Sequence, residues 1–259
     1  MAPPSAAAIK SNIQAADSNI WGEASARPAG LDKFQNDLAT AIAMTWADVE
    51  GGFVIATVPV TGGASSGPGA PLSGGVALLA PGLLVNTASF NSISGNFATT
   101  FPDGATEGVL AIVDAVAQAI GQQFALWVPG YTATLVASGG ACAWIAPTPA
   151  TPPGVPGPWT GGSIEPAPIA SGTSAGDAGM TGASIASLID SVAAGSIKQN
   201  GGQLQPAMSA LVQAVATGFE TTWTQWKAAT KISGGNGVGV AAPITGTLIS
   251  GAVANPKVG

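Results

Sequence analysis

A Pro-x-(Ser/Thr)-Gly tetrapeptide occurs three times, as Pro71-Leu72-Ser73-Gly74, Pro158-Trp159-Thr160-Gly161 and Pro243-Ile244-Thr245-Gly246. The copies stand 87 and 85 residues apart, and each closes a glycine-rich stretch that follows a helical pattern ending in Trp. Repetition at a near-fixed period constrains a fold more than local propensity does, because each unit buries its apolar face against its neighbours. The spacing predicts three diverged copies of one unit, over residues 1–75, 76–162 and 163–259.

The clearest part of each unit is a long amphipathic helix. Leu31, Phe34, Leu38, Ile42 and Trp46 recur at steps of three and four, which places them on one helical face. Val109, Val113, Val116, Ile120, Phe124 and Trp127 do the same in the second unit, and Leu204, Met208, Leu211, Val215, Phe219 and Trp223 in the third, with Trp226 one turn further. A shorter helix is expected upstream of each. Its stripe is Ile9, Ile13, Ala16 and Ile20 in the first unit and Ile185, Leu188, Ile189 and Val192 in the third. In the second it is Phe90, Ile93, Phe97 and Phe101, with Gly95 interrupting.

After each long helix comes a strand-like stretch: Phe53 to Val60, Tyr131 to Val136, and a weaker one from Ala228 to Ile232. Each runs into a Gly-Gly pair, at Gly62-Gly63, Gly139-Gly140 and Gly234-Gly235. From that pair to the Pro is nine residues in the first and third units and nineteen in the second, where a proline-rich insertion covers 146–155. The Gly- and Pro-rich segments read as loops with little self-pairing, either mobile or lying as arms in a neighbour's groove. The expected fold class is α+β, each unit being short helix, long helix ending in Trp, short strand and Gly/Pro-rich loop. A pseudo-threefold body would let the three stripes share one core.

Charge is scarce. Only 8% of the 259 residues are charged, against roughly 25% in ordinary soluble domains. A surface so poor in charge implies coverage by other subunits, or else a neutral Ser/Thr/Asn coat. The apolar fraction of 46% and seven Trp argue against a disordered chain, despite 37 Gly and 20 Pro. A net charge of −6 with scattered cations gives no basic face for nucleic acid. No run of 18 apolar residues occurs, the nearest being Ala105 to Val128, so no membrane span is expected. Met1-Ala-Pro-Pro-Ser lacks the pattern of a signal peptide, and the lone Cys142 allows no intrachain disulfide. These features fit synthesis and assembly in a host cytoplasm.

Catalytic chemistry finds no footing. The chain has no His, the commonest general base and metal ligand. One Cys makes no thiolate cluster and reads as a buried small hydrophobe. Asp48 and Glu50 are the closest carboxylate pair and read as solvent-facing charges at a helix end. Asp103 reads as the N-cap of the second long helix, with Glu107 adding favourable charge there. Gly235-Asn236-Gly237-Val238-Gly239 lacks the Lys-Ser/Thr pair and the following helix of a phosphate loop. No catalytic residue, cofactor or metal ligand is assigned.

The residues singled out are therefore structural. Trp46, Trp127, Trp223 and Trp226 are expected as core or interface anchors, and Pro71, Gly74, Pro158, Gly161, Pro243 and Gly246 as repeat loops. The expectation is a non-enzymatic component of a large assembly, such as a minor capsid, decoration, connector or tail protein of a virion. Its partners would be other protein subunits, copies of itself among them. The alternatives are a cell-surface or extracellular structural protein, and a carbohydrate- or ligand-binding module.

Overall fold

The computed structural model describes residues 2–21, 30–104, 106–198, 202, 204, 206–243 and 246–259. Among these the chain forms six α-helices and ten strands, a mixed α and β fold built as two stacked layers. One layer is a ring of helices and the other a six-stranded barrel.

The helices form where the apolar periodicity predicts them, except that Leu204 lies ahead of the last one in an isolated bridge to Lys198, and Phe90 and Phe101 flank the third. They are α1 (Ala6–Trp21), α2 (Leu31–Gly51), α3 (Ser92–Thr100), α4 (Glu107–Gly130), α5 (Gly182–Val192) and α6 (Pro206–Ala229). Each packs on the next, and α6 returns to α1, so the ring closes with short and long helices alternating. Its core holds Ile9, Ile13, Leu38, Ile42, Val113, Val116, Ile120, Ile185, Ile189 and Val215, all buried. Close approach of α1 to α6 depends on Gly218, where a Cβ would lie 2.6 Å from the Cα of Ile13. The side chain of Ile20 lies outside the described residues. Glycine at position 95 does not interrupt α3, because Phe90, Ile93 and Phe97 anchor both sides of it. By length and composition α4 would suffice to cross a membrane, yet half of its apolar window is buried within the protein.

Three further details differ from the sequence expectation. Asp103 sits in a 3-10 turn, Pro102–Gly104, and the N-cap of α4 is Thr106, whose backbone is extended (φ −66°, ψ 153°). Glu50 is buried rather than solvent-facing, whereas Asp48 is exposed. The stretch Ala228 to Ile232 is not one strand, since α6 runs to Ala229 and the next strand starts at Lys231.

The strands follow the long helices in pairs. They are β1 (Phe53–Ile55), β2 (Thr57–Ser65), β3 (Leu72–Leu79), β4 (Leu84–Asn86), β5 (Tyr131–Cys142), β6 (Gly157–Pro168), β7 (Thr173–Ser174), β8 (Lys231–Ala241), β9 (Leu248–Ala254) and β10 (Lys257–Val258). The barrel runs β2-β3-β5-β6-β8-β9 and closes from β9 back to β2, every pairing antiparallel. β1 and β4 form a separate ribbon, while β7 and β10 extend β5 and β8 at one end. Helix–helix–strand–strand order thus occurs three times along the chain, and each occurrence supplies one hairpin of the barrel. Positions 75 and 162, expected as unit boundaries, lie inside β3 and β6.

Glycine makes these strands, where the sequence reading placed loops. Gly139 and Gly140 have φ of 78° and 68°, a conformation that side chains disfavour, and they lie within β5. The pairs at 62–63 and 234–235 share the positive φ and lie within β2 and β8. The ladder register shifts near several of these glycines, which is how a small barrel bends enough to close. Inside, side chains alternate in the expected period of two, with Val58, Val60, Ala77, Leu79, Leu135, Ile164 and Ile232 buried. Trp159 fills the middle. A Cβ on Gly162 would fall within its indole ring, and one on Gly237 would lie 2.6 Å from its Cη2. Its Nε1 donates to the carbonyl of Gly139 at 2.9 Å, so the plug is also hydrogen-bonded.

Candidate functional site

The four anchor tryptophans meet where the helix ring rests on the barrel. Trp46, Trp127, Trp223 and Trp226 are at most 3% exposed. Trp223 stands at the centre: its ring is 4.8 Å from Trp127 edge-on, 4.9 Å from Trp226 stacked and 6.1 Å from Trp46. Phe90, Phe124 and Phe219 surround them in edge-to-face or tilted pairs, and Phe124 also stacks on Trp127. Within this chain they are core, with no indole face open to a ligand.

Two carboxylates at this junction behave oppositely. Asp177, at the start of a 3-10 turn, accepts from Trp127 Nε1 at 2.8 Å, Lys227 Nζ at 3.0 Å and the Ser174 N–H at 2.7 Å. Burial pushes its pKa up, but the bonds from Ser174, Lys227 and Trp127 outweigh burial together and hold it below the ordinary value. Stability from this node is therefore present above the ordinary Asp range and lost as pH falls through the lowered pKa. Asp177→Asn is expected to lower the melting temperature at pH 7 and to shrink the acid-induced loss seen in the parent chain. Thermal melts between pH 2.5 and 7 check this.

Glu50 has both carboxylate oxygens buried without a hydrogen-bond partner, and burial raises its pKa. An acid whose folded pKa is raised destabilises the fold as pH climbs past its ordinary value. Glu50→Gln is expected to raise the melting temperature at pH 7 and to leave it unchanged near pH 4. An equal shift at both pH values would contradict the assignment.

The tetrapeptides gather at the barrel end remote from the helices. The hairpin loops 66–71 and 143–156 lie there with the described ends of the third, 242–243 and 246–247, since the helices connect through the opposite end. Gly74, Gly161 and Gly246 have φ of 68°, 75° and 61°. Pro71 and Pro158 are exposed, Pro243 is half-buried, and Gly246 is buried against Ser65 and the Trp144 ring. Ile244 and Thr245 lie outside the described residues. The insertion 146–155 projects from β5 and β6 as an exposed loop pinned by paired bonds between Ile145 and Val155, both 3.1 Å. The loops touch one another at the tip: Gly69 donates to the Cys142 carbonyl at 2.6 Å, and Gly154 abuts Pro243. Cys142 itself is buried, and burial pushes its thiol pKa up.

No catalytic constellation appears among the described residues. No cluster of three Asp, Glu or Cys is placed to hold a metal ion. The groove lined by Glu107 and Asp114 has no third carboxylate, and Asp114 accepts from the Ser94 hydroxyl. A wider groove of about 530 Å³ runs between β4 and α4, lined by Leu84, Val85, Phe124 and Val128, and carries no titratable side chain.

The feature that sequence reasoning missed is how charge is distributed. Residues 51–102, 115–164 and 232–256 contain no Asp, Glu, Lys or Arg. Apart from the base ends of β6 and β8, these runs hold all three barrel hairpins, so charge is confined to the helix ring, its connections and the barrel base at Glu165, Lys231 and Lys257. Apolar side chains stand exposed on the bare wall. Val76 and Val136 face each other across β3 and β5, and Val238, Val240 and Ile249 lie on β8 and β9, the opposite side of the barrel. The three charge-free runs were visible in the sequence, but their meaning depends on the barrel.

Comparison with protein-family models, with curated proteins and with solved structures finds no match. Class is therefore argued from geometry: a helix ring stacked on a filled, closed barrel, with one charged end and one neutral end.

Proposed function

We propose that this chain is a non-enzymatic structural subunit of a large protein assembly of the virion or phage-particle class. The observation that carries the reading is the charge-free wall of the barrel. A free protein of 25.0 kDa keeps mixed charges over its surface to stay apart from its neighbours. Here the three loops and four of the six strands have none, and the other two carry one each at the base, Glu165 in β6 and Lys231 in β8. Such a surface suits permanent burial against other subunits.

The thrice-occurring helix–helix–strand–strand order favours three diverged copies of one unit, with hairpins and helix pairs set about a pseudo-threefold axis. In that arrangement α1 to β3, α3 to β6 and α5 to β9 are equivalent, and the unit places one hairpin in the barrel each time. A chain of this kind suits a position on or near a threefold axis of an assembly. The test is the mass of the species that holds the chain in unfractionated source material, by mass photometry with immunodetection. A megadalton species supports the proposal, and a 25.0 kDa monomer removes it.

A further inference from the structure

Resting on that reading, we propose that the barrel is a plug. It seats tip-first inside a ring of protein subunits with threefold symmetry and an uncharged inner wall, leaving the helix ring outside in solvent. Above the base residues Glu165 and Lys231, charge is missing from the wall on all six strands and from the tip, not from one face. Docking through a single face would leave the other strands free to carry charge, so the pattern fits a partner that encircles the barrel.

The chemistry of the wall identifies the partner's. Outward positions mix hydroxyls, as at Thr61, Thr134 and Thr160, with apolar groups, as at Val76, Val136 and Val238. An ion buried against this wall would lose its hydration and meet no counter-charge, so the facing surface is neutral and offers hydrogen bonds. Lipid does not fit, because hydroxyls in hydrocarbon lack partners and the barrel's aromatics Tyr131, Trp144 and Trp159 point inward, leaving no interfacial girdle. Orientation follows from the other end. Asp32, Asp48 and Glu107 are exposed on the helix layer, where burial would strand them. Threefold symmetry in the partner matches one hairpin per unit.

Cysteine accessibility tests the plug. Thr134→Cys and Val238→Cys mark the wall, Thr224→Cys marks the exposed face of α6, and the native Cys142 is buried. Maleimide labelling is compared between the native particle and the purified chain, whose folding is checked by circular dichroism. The wall cysteines are expected to label about tenfold or more slowly in the particle, as at a close-packed interface core, and Thr224→Cys at an unchanged rate. Equal rates at the wall, or slowing at Thr224→Cys instead, would overturn the plug while leaving the assembly reading intact. Flotation of the purified chain with phosphatidylcholine vesicles would also overturn it, by assigning the wall to lipid. Absence of any particle is seen first, as mass, and removes both readings.

Discussion

Replacing Trp223 with alanine is expected to destabilise the fold by about 3–5 kcal/mol, the range for a large aromatic lost from a core. Trp223 is 2% exposed and touches Trp46, Phe124, Trp127 and Trp226, which come from α2, α4 and α6. With Phe90, which meets Trp46, Phe124 and Phe219, it links the three long helices directly, so neighbouring side chains have little freedom to collapse into the space. Total stabilities of about 5–15 kcal/mol leave a margin that this loss nearly removes. The expected result is a large fall in melting temperature with loss of near-ultraviolet circular dichroism. Trp223→Phe keeps a ring and should recover part of it. A melting temperature within a degree or two of the parent would show that the cluster does not hold the helix ring together.

Gly162→Ala adds one methyl group and is expected to have an effect far beyond its size. The new Cβ would fall within the indole of Trp159, which is fixed by its bond to the Gly139 carbonyl and also lies close over Gly237, the ladder partner of Gly162. The indole is fully buried and hydrogen-bonded, so to make room the barrel must open locally or Trp159 must shift and lose that bond. Overpacking of this sort costs about 1–3 kcal/mol, and the lost bond adds to it. Denaturant melts followed by tryptophan fluorescence check the result. Gly161→Ala, one residue away, has only an ordinary contact near its Cβ and pays through backbone conformation at φ 75° instead. It should therefore destabilise without changing the Trp159 environment.

The helical half was legible in the sequence because it is written in periodicity. Leu38, Ile42 and Trp46, or Val113, Val116, Ile120 and Trp127, fall on one face whatever the tertiary context, and all are buried. The barrel half was not legible for the same physical reason in reverse. In β8 the run Ser233 to Gly239 holds four glycines, which supply no alternation of large and small to read. Glycine is needed there because neighbouring strands and the Trp159 indole come within the radius of a side chain. A local rule takes glycine for a loop, and only the closed barrel shows why it belongs in a strand. The burial of Glu50 was hidden for a related reason: its helical position marks it as terminal, and burial is set by tertiary packing that local position does not encode.

The candidate surface shows the same division. The anchor tryptophans were found by their spacing, and the structure gathers them into one cluster. The neutral wall was missed because a run without charge has no motif. It becomes a surface only when three such runs are wound into one barrel, with the charged segments left at the other end.

Image reconstruction of the native particle tests the central claim most directly. The account predicts density for this chain on a threefold axis, with the barrel enclosed by neighbouring subunits and the ring of α1 to α6 facing solvent. Density with the helix ring buried and the barrel exposed would contradict it, as would a particle in which the chain lies off every axis.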